Sequence, residues 1–400
     1  MARALIRPLA GADEVAAGLR VFFRAMVGLP VSTVDPVEAT EAGRFLGAFD
    51  GGEIVGGADA YTSGLVVPGG ALVPHAAVTH VGVLPTHRRR GLAGRLLIEQ
   101  LRDAAARGEM VASLRASEAT IYGRYGYGIA SESRSARVSL ARATLRPEVP
   151  AGGTVRLVDG AVTTELLRGV YDRSRGVGVI TRPDGWWRRH ELARASATAP
   201  WYAVVHSTGG VDDGYALYRP EDTTGWFTSA ERVVTVTDLV SLSGGARAGL
   251  WRHLLALDLV DVVVFDSLAL DDPLPLATLD RRAVELGAAH DETWLRLVNV
   301  EAALRARSYG TAKPVVIGVR DPILPANEGA YVVGPDGAAR TDAAPQLTVD
   351  VGTLAATYLG GTRWRALASV GRVDARDPAA VARADLLFAT AALPFSGTVF

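Results

Sequence analysis

The sequence predicts a mixed α/β protein assembled from strand–helix–strand units. Three observations carry this. Short runs rich in β-branched and aromatic residues alternate with runs of helical period along nearly the whole chain. Glycine-rich turns separate them, with 44 glycines among 400 residues. The order strand, glycine-containing turn, amphipathic helix, strand occurs twice, at 78–115 and again at 233–269. A chain of this length accommodates two or three domains.

The elements follow in order. "ALIRPLA" reads as a short strand, and "GADEVAAGLRVFFRAMVG" as a helix with an acidic start. "GRFLGAFDGGEIVGGADAYTSGLVV" is a hairpin turning at Asp50-Gly51-Gly52, where positive φ is favoured. "AAVTHVGVLP" is a strand, and "RRGLAGRLLIEQLRDAAARG" an amphipathic helix stopped by Gly108. "MVASLRAS" is the next strand, followed by a short helix and a turn in "EATIYGRYGYG". The Pro/Gly cluster "LRPEVPAGG" at 145–153 is a linker. It closes a first domain at 1–147 and opens a second at 148–295. The second has a helix in "TTELLRGVYDRSRG", a hairpin from "WYAVVHS" and "DGYALYR", and then the repeated unit with the turn "LSGGARAG". From Arg296 a third domain runs to 400: a strand and helix in "RLVNVEAALRARSYG", strands in "PVVIGVRD" and "GAYVVG", and a helix in "VDVGTLAATYLGG". The β-like ending "AALPFSGTVF" closes on an apolar residue, which reads as an end built to be tucked in.

Composition excludes several functions. With 42 basic and 43 acidic residues the net charge is −1, so no broad positive field exists to hold nucleic acid. There is no cysteine, which removes thiolate nucleophiles, iron–sulfur clusters and cysteine zinc sites. The seven histidines form no metal-binding spacing, and no Walker loop, dinucleotide fingerprint or Gly-x-Ser-x-Gly elbow is present. No signal peptide or membrane-spanning run is expected, which fits a cytoplasmic protein.

Two stretches carry chemistry. In "VGVLPTHRRRGLAG" a strand ends at a turn and Arg88, Arg89, Arg90 and Gly91 open a helix. The first turn of a helix has unpaired N–H groups and attracts phosphate; Gly91 allows close approach and arginines add bidentate contacts. Arg-x-x-Gly-x-Ala after a strand matches the acetyl-CoA pyrophosphate loop of the GNAT superfamily. The second stretch, "RASEATIYGRYGYG", offers Tyr122, Tyr125 and Tyr127 as proton donors to a leaving thiolate.

Taken in order, "VGVLPTHRRRGL", "ASEATIYGRYGYG", "DGYALYR", "DPLP", "TWLRLVNVEAALRARSYG" and "TYLGG" resemble the Eis (enhanced intracellular survival) family of actinobacterial N-acetyltransferases. The resemblance runs from about residue 78 to the end and less clearly before it. It implies tandem GNAT domains followed by a domain similar to sterol carrier protein, with the central GNAT domain lacking a working cofactor site. It implies a hexamer. It implies acetyl-CoA contacts from Val81, Gly82 and Val83, from Arg88 through Arg95 including Leu92, Ala93 and Gly94, and from Ser117 and Glu118. It implies Tyr122 as general acid and the C-terminal carboxylate of Phe400 as general base. Transfer would be direct, to an amine that is aminoglycoside-like or otherwise, without an acyl-enzyme.

Two departures bear on the acceptor. Val399 precedes the final residue, and Arg24 and Ala25 stand where acidic residues would suit a polycation. Protein or peptide lysine, polyamines and arylalkylamines are the other acceptor classes. A lipid-binding scaffold without turnover is the non-enzymatic alternative.

Overall fold

A computed structural model describes residues 4–29, 35, 38, 40–159 and 163–400. Met1, Ala2 and Arg3, the start of the expected first domain, lie outside them. Contacts divide the chain into two compact units. One comprises Met1–Ser131, Gly176–Arg189 and Asp291–Phe400; the other comprises Glu132–Arg175 and His190–His290.

In chain order the first unit begins with β1 (Leu5–Pro8), α1 (Gly11–Ala25), β2 (Leu46–Asp50), β3 (Glu53–Val66) and β4 (Leu72–Val83). Then come α2 (Leu92–Ala106), β5 (Val111–Leu114), α3 (Ala119–Tyr122) and the start of β6 (Gly128–Ser139). Gly51 and Gly52, at φ 59 and 92, make the tight turn between β2 and β3. Strands β1 to β4 pair antiparallel in sequence order, and β5 joins β4 in parallel after the α2 crossover. Helix α2 buries Leu92, Leu96, Leu97, Leu101 and Ala104, a stripe of helical period. Helix α1 presses on β4 at Gly82. A Cβ at Gly82 would stand 3.1 Å from the Ala25 Cβ and 3.3 Å from the Phe22 Cα, so the helix approaches this closely because Gly82 has no side chain.

The second unit continues with β7 (Thr154–Val158), α4 (Thr163–Tyr171), the later half of α5 (Asp184–Ala195), whose residues up to Arg189 count with the first unit, β8 (Tyr202–Thr208), β9 (Val211–Pro220) and β10 (Val233–Ser241). After these come α6 (Gly244–Leu254), β11 (Val262–Ala269), α7 (Leu274–Ala277) and β12 (Val284–Leu286). Its strand order is β6-β11-β10-β9-β8-β7, with β12 also on β6. β10 and β11 pair in parallel across α6, as β4 and β5 do across α2. The repeated unit expected at 233–269 is therefore present. Its helix starts differently: the Ser243 hydroxyl accepts the Ala246 N–H at 3.0 Å. The N-terminus of α6 is thus capped by its own chain.

The remaining elements belong to the first unit: β13 (His290–Leu297), which pairs with β5, and α8 (Val300–Ala306). They continue with β14 (Val315–Arg320), β15 (Gly329–Gly334), β16 (Gly337–Thr341), β17 (Leu347–Asp350) and α9 (Val351–Tyr358). The last are α10 (Trp364–Ser369), β18 (Asp374–Ala375) and α11 (Pro378–Phe388). A second sheet, β16-β15-β14-β17-β18, packs with these helices around Trp364, Tyr358, Phe388 and Leu354. Within this core the Arg307 guanidinium donates to the carbonyls of Tyr358 at 2.6 Å and Phe388 at 3.1 Å. Residues 389–400 bend at 391–392 and again at Gly397 (φ 63) and join no strand, contrary to the β-like reading of "AALPFSGTVF". Apart from the Phe395 N–H, which donates to the Val177 carbonyl at 2.9 Å, the tail is held mainly by side chains, which take over the work of a ladder.

Candidate active site

The site forms where α1, β4, β5 and α3 meet the tail. Thr79 of β4 pairs with Asp59 and Gly82 with Gly57, so His80 and Val81 together oppose Ala58. Two residues against one is a β-bulge, which leaves backbone polar groups outside the ladder. His80 has φ 47, rare for a residue with a side chain. Its ring lies 5.1 Å from Phe22, 6.2 Å from Phe45 and 6.5 Å from Tyr61. Its Nδ1 stands 3.0 Å from the carboxylate of Asp59, which is fully buried. Burial raises the Asp59 carboxyl above the ordinary range, opposed by the His80 bond and the Ala60 N–H.

Beyond Val83 the chain makes one 3-10 turn at Pro85–His87 and then places Arg89 (φ 62) and Gly91 (φ 74) in the left-handed region. Gly91 is the N-cap of α2 and offers no side-chain cap. The first N–H groups of α2 are left for an outside acceptor, in contrast to α6. Arg88, Arg89 and Arg90 are exposed around this turn, with Arg90 donating to Asp50 at 3.1 Å. Leu92 sends its side chain into the core, so it offers the loop its main chain. Ala93 and Gly94 follow in the first turn. A Cβ on Gly94 would come within 2.5 Å of the Tyr125 hydroxyl oxygen, so Gly94 makes room for that ring.

Of the three tyrosines, Tyr122 lines the pocket. It is buried between Tyr127 at 6.1 Å and Trp294 at 6.4 Å. Burial pushes its phenol above the ordinary tyrosine value; a hydrogen bond with Ser117 pulls it down and the charge of Glu118 pushes it up. Tyr125 covers Gly94, and Tyr127 is buried with its hydroxyl unpaired. Glu118 caps α3 outside the pocket lining and accepts the Thr120 hydroxyl at 3.0 Å.

The pocket holds about 150 Å³. Its walls are Phe22, Met26 and Leu29 on one side, Val78 through Val81 on another, and Leu114, Arg115, Ser117, Tyr122 and Phe400 on the third. Thr79 donates to a main-chain oxygen of Phe400 at 3.3 Å. The segment before Phe400 is held on all sides. Arg115 donates to the Thr398 carbonyl at 2.7 Å and to Glu292 at 2.9 Å. Glu292, fully buried on β13, also accepts from the Ser131 hydroxyl at 2.7 Å, the Ser396 N–H at 3.1 Å and the Gly397 N–H at 2.8 Å. Trp186 donates to the Val399 carbonyl at 2.7 Å, and Arg182 to the Thr398 hydroxyl at 3.1 Å.

Sequence reasoning did not single out His80, Asp59, Arg115, Glu292, Arg182 or Trp186. Glu292 and Asp59 left one trace each: an acid inside an otherwise strand-like run. Among the described residues no group of three or more His, Cys, Asp or Glu could hold a metal. No described helix is long and apolar enough to cross a membrane.

Comparison with known proteins agrees with this architecture. Residues 33–130 and 178–297 each match an acetyltransferase (GNAT) domain, and residues 300–397 match a sterol carrier protein domain. The chain is 36% identical over 380 residues to an uncharacterized N-acetyltransferase of Streptomyces griseus, covering 92% of this chain and 91% of that one. It is 35% identical over 361 residues to N-acetyltransferase Eis of Mycobacterium bovis, covering 86% and 85%. The crystal structure of Eis1 from Mycobacterium abscessus superposes with a TM-score of 0.93 at 49% identity, covering 99% of this chain and 100% of that one. With two GNAT domains, a sterol-carrier-like domain and this identity along nearly its whole length, the chain belongs to the Eis family of GNAT N-acetyltransferases.

Proposed function

We propose that this N-acetyltransferase uses acetyl-CoA and moves the acetyl group directly to the primary amine of a compact acceptor with an apolar body. The observation that carries the reading is the pocket where Tyr122 and the main-chain oxygens of Phe400 come together beside a bulged β4. The main chain of Val81, Gly82 and Val83 receives the pantetheine arm. Arg88, Arg89, Arg90, Gly91, Leu92, Ala93 and Gly94 receive the pyrophosphate, for which the uncapped α2 is suited. Ser117 and Glu118 flank the thiol end.

The Phe400 carboxylate meets the acceptor ammonium, and backbone N–H freed by the bulge stabilises the oxyanion. Tyr122 donates its proton to the departing thiolate. A phenol raised by burial keeps that proton at neutral pH, as a general acid must. The self-capped α6 supports a second domain, 148–295, without a cofactor site. Residues 1–147 then hold the active site, and 296–400 deliver the tail. A hexameric assembly and a cytoplasmic location belong to the same reading and rest on family resemblance.

The pocket walls favour an apolar acceptor over an aminoglycoside or polyamine. Among the described lining residues the carboxylate is that of Phe400, and Arg115 is a cation. From 30 to 39 the acidic residues are Asp35 and Glu38, and Glu38 pairs with Arg188 at 3.4 Å. Several carboxylates would be needed to hold a polycation. The test is CoA release from acetyl-CoA with 2-phenylethylamine, spermidine, an aminoglycoside and a lysine peptide. The highest kcat/KM is expected for 2-phenylethylamine. A higher value for either polycation overturns the acceptor class, and no CoA release with any amine overturns the reading.

A further inference from the structure

We propose that His80, oriented by Asp59, takes the proton from the acceptor ammonium in the pocket it shares with Tyr122 and Phe400. This rests on the transfer reading above and deepens it.

The bulge opposite Ala58 puts His80 and Thr79 on the face of β4 that α1 covers. Thr79 reaches the Phe400 oxygen, and His80 lines the same pocket. Nδ1 of His80 is committed to the Asp59 carboxylate at 3.0 Å. A carboxylate fixes the proton on Nδ1 and leaves the lone pair on Nε2. Among the described residues Nε2 has no hydrogen-bond partner. The left-handed backbone at φ 47 would suit glycine better, yet an imidazole occupies it.

The chemistry calls for such a group. An alkylammonium must lose a proton before its lone pair can attack. A carboxylate is about a thousandfold weaker as a base than an imidazole. In place of the base role that the family resemblance implies for it, the Phe400 carboxylate is therefore suited to hold the ammonium, and His80 to accept its proton. An N–H bond of the ammonium breaks and the proton goes to Nε2. The nitrogen lone pair then attacks the thioester carbonyl carbon, and the second N–H proton leaves to solvent as the amide forms. The C–S bond breaks with its electron pair on sulfur, which takes the proton of Tyr122. His80 returns its proton to solvent and the tyrosinate is reprotonated. The buried Asp59 carboxylate stabilises the imidazolium in between, which makes Asp59 a positioning residue.

A buried His–Asp pair can also be purely structural, and amine basicity separates the two roles. The experiment compares 2-phenylethylamine, which is protonated at pH 7.5, with 2,2,2-trifluoroethylamine, which is largely neutral there. His80→Asn keeps a residue that tolerates positive φ. Its kcat/KM for 2-phenylethylamine is expected to fall by about 10²–10⁴-fold against wild type. For 2,2,2-trifluoroethylamine the fall is expected to be far smaller, because no proton needs removing before attack. Asp59→Asn should show the same selectivity with a smaller loss, and it carries the comparison if His80→Asn does not fold. Equal losses for both amines, or no loss with either, overturn the proposal. If wild type acetylates neither amine, the small-amine reading falls and this inference falls with it; the wild-type arm shows that before any variant is read.

Discussion

Replacing Glu292 with glutamine should free the tail. Four donors converge on this buried carboxylate: Arg115 and the Gly397 N–H on Oε1, and the Ser131 hydroxyl and the Ser396 N–H on Oε2. Glutamine keeps one oxygen, which can still serve Arg115 and Gly397. Its NH₂ then faces Ser131 and Ser396. Ser131 can rotate to accept, but the buried Ser396 N–H meets a donor and has no alternative there. One buried N–H left unpaired costs about 1–3 kcal/mol, and loss of the charge on the Arg115 bond adds about 1–2 kcal/mol. The total of about 2–5 kcal/mol falls on the docking of 389–400 rather than on the sheets. The assay is carboxypeptidase trimming followed by intact mass. If trimming requires undocking, 2 kcal/mol corresponds to removal of Phe400 about thirtyfold faster than in wild type. CoA release should fall in parallel while acetyl-CoA affinity holds. Trimming at the wild-type rate with turnover unchanged would refute the claim that Glu292 holds the tail.

Two further predictions test the frame around the site. Gly82→Ala should cost about 1–3 kcal/mol in urea unfolding, since the added methyl lands 3.1 Å from the Ala25 Cβ and forces α1 off β4; equal stability would show that the helix yields freely. His75 is fully buried, and burial drives its imidazole down to about 3. The unfolded chain takes up that proton below about pH 6.5 while the fold resists it, so this contribution is complete above pH 6.5 and lost towards pH 3, at up to ~1.4 kcal/mol per unit. Between pH 7 and 5 wild type should therefore lose up to ~2 kcal/mol more than His75→Gln; equal losses would place the acid sensitivity elsewhere.

The parts of the site that are contiguous in the chain were legible in the sequence. The Arg88–Gly94 turn, the Tyr122 turn and the β2–β3 hairpin each announce themselves within about a dozen residues, because turn chemistry and helix starts are local. The repeat at 233–269 was legible for the same reason, and the missing arginines there coincide with a helix capped by Ser243. The tail clamp was not. Arg115 and Glu292 are 177 residues apart, and each looks like an ordinary charged residue of its strand. The His80–Asp59 pair depends on where β4 bulges against β3, and pairing register is not written in either strand alone. Gly82 shows a double demand. The family resemblance implies a cofactor contact there, and the fold adds the close passage of α1. The ending looked like a strand because its residues are β-prone, but its hydrogen bonds go to Arg115, Trp186 and Glu292.

The account's central claim is that Tyr122 and the carboxylate of Phe400 serve one acetyl transfer. It is tested most directly by CoA release at saturating acetyl-CoA with 2-phenylethylamine, for wild type, Tyr122→Phe and a chain extended by a few residues after Phe400. The account predicts that kcat falls by about 10²-fold or more in both altered proteins while acetyl-CoA still binds. An extended chain as active as wild type would contradict the role of the Phe400 carboxylate, and an active Tyr122→Phe would contradict the role of the phenol.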